Sequence, residues 1–237
     1  MIRLAALLSA LGLPAHATCA ADAMLVFDGS ASMAEISLDA PETRIDEARI
    51  AIGRALPEVE HVRRIGLLTY GPGGADACSG LDLRMPPIPL AARRLTEEIE
   101  ALRPSGLTPL AGAVEAAAEA LSFRDAPAIV VLVTDGNETC GGTPCALADR
   151  LMAEAANLTV HVIGFRAAPD LFAWNNPEQT GIEGDTAARC LADRTGGLFV
   201  DTRTVDELEA ALRETLGCAL VGQARRATMS GRGSQPG

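Results

Sequence analysis

The stretch whose reading decides the fold is Ala23-Met-Leu-Val-Phe27, followed by Asp28-Gly29-Ser30-Ala31-Ser32. Five apolar residues in a row, stopped by an acid and a Gly/Ser turn, are too short for a helix and read as a strand buried on both faces. Four more runs repeat the pattern, at 65–70, 128–134, 159–165 and 197–200, each rich in β-branched or aromatic residues. Between them, apolar residues at three- and four-residue spacing predict helices over 43–56, 91–102, 109–121, 144–157, 186–195 and 205–216. Thr108 before Pro109 and Thr143 before Pro144 read as helix starts, and Thr204 with Glu207 as a capping box. Strands alternating with helices of this length imply a doubly wound α/β fold, a mostly parallel sheet flanked by helices on both faces. Residues 81–85 read as a short edge strand fenced by Pro86, Pro87 and Pro89, which donate nothing to a ladder.

The 237 residues suffice for one well-buried core. All 20 basic residues are Arg and 31 are acidic, a formal charge of -11 that repels nucleic acid, which is excluded as a partner, and anionic membrane surfaces. Only 3% of residues are aromatic, too few for a stacking surface; Trp174, alone in a loop-like stretch, reads as a local packing anchor. Arg3, the apolar run 4–13 and the small residues Ala15 and Ala17 form a secretory signal, giving a signal peptide over 1–17, one domain over 18–220 and a disordered, Gly- and Arg-bearing tail over 221–237. No later run is long enough for a transmembrane segment. The expected location is therefore periplasmic or extracellular.

In an open α/β sheet, ligands collect beyond the carboxyl ends of the strands, where connections part in opposite directions. Asp28 ends the first strand, Asp135 follows Thr134 at the end of another, and Thr108 stands just before a helix in Gly106-Leu-Thr-Pro-Leu110. With Ser30 and Ser32 these form a set of two carboxylates and three hydroxyls. Hard oxygen donors suit Mg2+, with Ca2+ or Mn2+ as alternatives, and a dication relieves the repulsion between two partly buried acids.

Asp28-x-Ser30-x-Ser32, Thr108 in its Gly-x-Thr-Pro-Leu turn and Asp135 in a Thr-Asp-Gly turn together resemble the metal ion-dependent adhesion site of von Willebrand factor A domains, a likeness spanning roughly 23–216. The resemblance implies that Ser30, Ser32 and Thr108 bind the ion through their hydroxyls, with Asp28 and Asp135 acting directly or through water. It further implies a protein partner whose carboxylate fills the open position, in a binding module that is not an enzyme. Ala31 departs from the family, which usually has Gly there, and is expected to strain the loop mildly. Two other functions use the same residues: a metal-assisted hydrolase, which lacks an obvious base in a chain without Lys, and a fold with a purely structural ion.

Glu138 reads as a solvated loop carboxylate and His161 as a packed strand residue. Six cysteines in an exported chain favour disulfides over zinc, for which paired Cys-x-x-Cys knuckles are missing. Fifteen pairings are open. The scheme carried forward closes Cys140 with Cys145 in a tight loop and Cys19 with Cys218 at the chain ends, leaving Cys78 and Cys190.

Overall fold

A computed structural model of the chain describes residues 21–36, 41–166 and 188–218. The proposed signal, the tail, Cys19 and Trp174 lie outside them. Six strands, β1 (Asp22–Asp28), β2 (Ile65–Tyr70), β3 (Leu81–Ile88), β4 (Pro127–Thr134), β5 (Asn157–Phe165) and β6 (Phe199–Thr202), form one sheet in the order β3-β2-β1-β4-β5-β6. All neighbours are parallel except β2 and β3. The helices are α1 (Arg44–Val59), α2 (Ala92–Ala101), α3 (Leu110–Ala120), α4 (Pro144–Glu154), α5 (Arg189–Thr195) and α6 (Val205–Leu216).

Because side chains alternate along a strand, β1 feeds two cores. Ala23, Leu25 and Phe27 pack with α1, α2 and α6, while Met24 and Val26 pack with α3, α4 and α5. This explains the unbroken apolar run: every β1 residue from Ala23 to Phe27 is buried, and there is no solvent face to which polar residues belong.

The expected elements are all present among the described residues, with two instructive differences. The edge strand β3 runs past Met85 through Pro86 and Pro87 to Ile88, because its pairing with β2 shifts register between Ile65 and Leu68 and the prolines sit at this irregularity. Helix α4 stops at Glu154 and not at 157, since Asn157 already pairs with Pro127 as the first residue of β5.

Strand β1 connects through α1 to β2 on one side, and β4 connects through α4 to β5 on the other. The two strands are hydrogen-bonded neighbours, with Phe27 opposite Val133, so Asp28 and Asp135 emerge at the topological switch point. At the opposite end of the molecule, buried Arg63 donates to the carbonyls of Ala21 (3.1 Å), Leu216 (2.9 Å) and Gly217 (2.9 Å), binding the first described residue to the end of α6.

Arg63→Met leaves those three carbonyls without their donor, and hydrogen bonds from a charged group contribute about 1.5–3 kcal/mol each with strong overlap. The expected loss in unfolding free energy is about 3 kcal/mol by urea denaturation, with an unchanged m-value.

Candidate functional site

Asp28 is fully buried at the end of β1, and both its oxygens are engaged. Oδ1 accepts from the Ser30 backbone N–H (2.8 Å), which turns the chain sharply; Oδ2 lies 2.8 Å from both the Tyr70 and the Thr134 hydroxyls. These hydroxyls come from the ends of the two strands flanking β1. Burial, and next the charge of Asp28, raise the Tyr70 phenol well above its usual range, so it stays a proton donor.

The turn then winds into a short 3₁₀ segment (Ala31–Ala34) that aims two serines at the rim. Ser30 Oγ and Ser32 Oγ are 3.1 Å apart, and Ser32 donates to Asp135 Oδ1 at 2.8 Å. Asp135 Oδ2 receives Nη1 of Arg44, the first residue of α1, at 2.7 Å. Burial and the nearby Asp28 charge push the Asp135 carboxyl up to about 6, although Ser32 and Arg44 pull the other way.

Thr108 reaches the same rim through main-chain bonds. The Ser105 N–H donates to Gly29 O (2.9 Å) and the Ala31 N–H to Gly106 O (3.2 Å), locking the Thr108 loop against the serine turn. Thr139 holds Thr108 from the far side, taking its N–H on Oγ1 at 2.9 Å and donating its own N–H to Thr108 O at 3.1 Å. Two glycines permit this crowding. Gly106 has φ +76° and a Cβ there would sit 2.1 Å from Gly71 O; Gly71 has φ +103° and a Cβ there would sit 2.6 Å from Ser30 N.

The five sequence-predicted residues, Asp28, Ser30, Ser32, Thr108 and Asp135, are thus all at one rim. Ser30, Ser32 and Asp135 are linked side chain to side chain, Asp28 joins them through the Ser30 backbone N–H, and Thr108 is tied in through its loop's main chain. The set fits a hard divalent cation. Its oxygens are neutral hydroxyls beside two carboxylates close enough to perturb each other, and their 2.8–3.1 Å separations match the roughly 2.9 Å between adjacent oxygens around Mg2+. Among the described residues no group of three or more His, Cys, Asp or Glu offers an alternative metal site.

Several expectations are corrected here. Glu138 is no solvated carboxylate: it is 6% exposed, accepting from Ala111 N–H on Oε2 and from Cys140 N–H on Oε1, both at 2.8 Å. It caps the amino end of α3, the role assigned to Thr108 by sequence, because Pro109 makes no side-chain cap and the first-turn N–H groups need an acceptor. Thr143 likewise makes no cap, whereas the Thr204–Glu207 capping box forms in full. Ala31 is not strained, since Leu90, Ser122 and Arg166 are the described non-glycine residues with positive φ.

Cysteine pairing also differs. Cys78 bonds Cys140 and Cys145 bonds Cys190, so no Cys140–Cys145 loop exists. The Leu107 N–H donates to Ala77 O while Thr139 clasps Thr108, which brings Cys78 and Cys140 together across the Thr108 loop. Cys145 in α4 meets Cys190 in α5 because those helices pack side by side, with Arg194 donating to Cys145 O. The Cys19–Cys218 expectation includes a residue outside the described ones.

Sequence reading passed over Tyr70 and Thr134 as ligand-orienting groups, although a polar residue at the end of an apolar strand is the signal each carries. Arg44 had none: 12 residues separate it from Ser32.

The family model of the von Willebrand factor type A domain matches residues 23–138. The chain is 26% identical over 196 residues, 79% of its length and 81% of the relative's, to the uncharacterized protein YwmD of Bacillus subtilis (strain 168). Among solved structures it resembles a von Willebrand factor type A protein from Catenulispora acidiphila (TM-score 0.56, 18% identity, 83% of this chain and 42% of that one). It also resembles the pilus adhesin SpaC from Lactobacillus rhamnosus GG (TM-score 0.59, 14% identity, 83% of this chain and 30% of that one). The chain spans less than half the length of either solved protein.

Because the folded-state Asp135 carboxyl lies above the range of an unfolded aspartate, the native state holds this proton more tightly. In divalent-free buffer, its contribution to stability is therefore present below about pH 4 and lost as pH rises towards 6. Carbon-13 NMR of the side-chain carboxyl is expected to show a midpoint near 6.

Proposed function

From a chain that has the von Willebrand factor type A fold and matches that domain's family model, we propose an exported, non-enzymatic binding module that holds one divalent cation, Mg2+ by preference, and uses it to capture a carboxylate of a protein partner. The observation that carries the reading is the hydrogen-bonded rim cluster in which Ser32 Oγ lies 3.1 Å from Ser30 Oγ and 2.8 Å from Asp135 Oδ1, with Asp28 turned in beside them by the Ser30 N–H.

The residues divide the work. Ser30, Ser32 and Thr108 present neutral hydroxyls to the ion. Asp28, fixed by Tyr70, Thr134 and the Ser30 N–H, and Asp135, fixed by Ser32 and Arg44, supply charge from just behind them. When bound, the cation supplies a Lewis-acidic point for an incoming carboxylate. Neutral nearest donors leave much of its charge for that partner.

Two disulfides in the described residues suit an oxidising compartment, in keeping with the periplasmic or extracellular location expected of an exported chain. The pilus adhesin among its structural neighbours suggests a role in protein contact. His161 supports the non-catalytic reading: its Nδ1 accepts from Leu198 N–H, and burial depresses it to about 4.

Titration calorimetry of chelator-stripped protein with MgCl2 is expected to give one site, weakened at least about tenfold by Ser32→Ala or Thr108→Val. Immobilised protein should then retain an envelope protein in Mg2+ and release it to chelator, and equal retention by Asp28→Ala would discard the adhesive half of the proposal.

A further inference from the structure

Arg44 occupies an odd place for a stabilising cation. It is the first residue of α1, at the positive end of the helix dipole, where acids are favoured; Asp46 and Glu47 follow that preference in the same turn. Its guanidinium is instead committed to the site. Nη1 donates to Asp135 Oδ2 at 2.7 Å and to Ser32 O at 3.3 Å, with the Arg44 side chain 13% exposed and that of Asp135 fully covered.

The other described charges near it leave this commitment intact. Glu35 lies 3.3 Å from Nη1 but is 66% exposed, so water screens it. One turn along α1, Glu47 is taken up by Arg166 from the end of β5 at 2.7 Å. Among the described residues, what remains is two buried carboxylates and one guanidinium.

We infer that Arg44 sets the balance of the cation site: a fixed positive charge that weakens capture of the dication and makes the loaded site attract a carboxylate. This rests on the metal-binding reading above. Asp28 and Asp135 carry two negative charges and Arg44 one positive, so a dication brings the cluster to a net +1, which one partner carboxylate neutralises. Without Arg44 the loaded cluster is already neutral. Arg44 also engages the outer oxygen of Asp135, keeping that carboxylate behind Ser32 and in place when no ion is bound. The ion pair therefore serves as a built-in substitute cation, against which the divalent ion must compete.

Arg44→Gln keeps a hydrogen-bond donor near Asp135 and removes the charge. Calorimetry with MgCl2 on the full chain is expected to show binding about tenfold tighter than in the unmodified protein, as the loss of a like charge a few ångströms from the ion dictates. Sodium acetate, titrated into Mn2+-loaded protein and followed by water-proton relaxation, should bind more weakly to the variant. Arg44→Lys, which retains the charge, should restore both values to within about threefold of the original. Magnesium binding by Arg44→Gln that is equal or weaker, in a protein whose unmodified form does bind, overturns the role of Arg44 alone. Absence of heat with both proteins removes the metal reading and this inference with it. Should Arg44→Gln fail to fold, Arg44→Met, which removes the same charge, carries the test by the same two readouts: tighter Mg2+ binding and weaker acetate binding are expected, and equal or weaker Mg2+ binding overturns the inference.

Discussion

Two carboxylates are buried at the ends of adjacent parallel strands, and the upper half of the molecule is organised around that. Asp28 and Asp135 cannot both sit charged at the junction of β1 and β4 without compensation. The chain supplies two hydroxyls and a backbone N–H to the first, and a hydroxyl and a guanidinium to the second. Those partners come from β2, β4, the serine turn and α1, so satisfying the acids also fixes how four elements meet.

The surrounding loops are held with comparable care. The Thr108 loop is pressed between the serine turn and Thr139, at a spacing that tolerates glycine alone at positions 71 and 106. The Cys78–Cys140 bond ties the β2–β3 loop to the loop after β4, and Cys145–Cys190 fastens α4 to α5. Glu138 seats the start of α3 against the same loop. Such preorganisation lowers the entropic cost of ordering a site when a ligand arrives.

The central strands β1, β2 and β4 were legible because each is buried on both faces along nearly all its length: an unbroken apolar run such as 128–134 leaves no competing reading once flanking helices carry a 3.6-residue period. The site was legible for a related reason. Acids and hydroxyls that end apolar strands must gather at one rim of a parallel sheet, which groups Asp28, Ser30, Ser32 and Asp135 before any coordinates, while Thr108, just ahead of a helix, joined them through its Gly-x-Thr-Pro-Leu turn and the family resemblance. Pairwise contacts were not. Arg44 meets Asp135 across 91 residues, and Cys78 meets Cys140 across 62, through loop paths that no local periodicity encodes. Glu138 was misjudged because a loop carboxylate between Asn137 and Thr139 looks solvated until the amino end of a helix is known to point at it.

The central claim is that a hydroxyl-lined corner of this rim holds one dication while its two acids stand behind. Anomalous diffraction at the manganese edge, from crystals grown in MnCl2, tests it most directly. The account predicts a single strong peak within about 2.0–2.3 Å of the Ser30 and Ser32 hydroxyl oxygens. A map with no peak there, or with manganese seated only on surface carboxylates elsewhere, contradicts it.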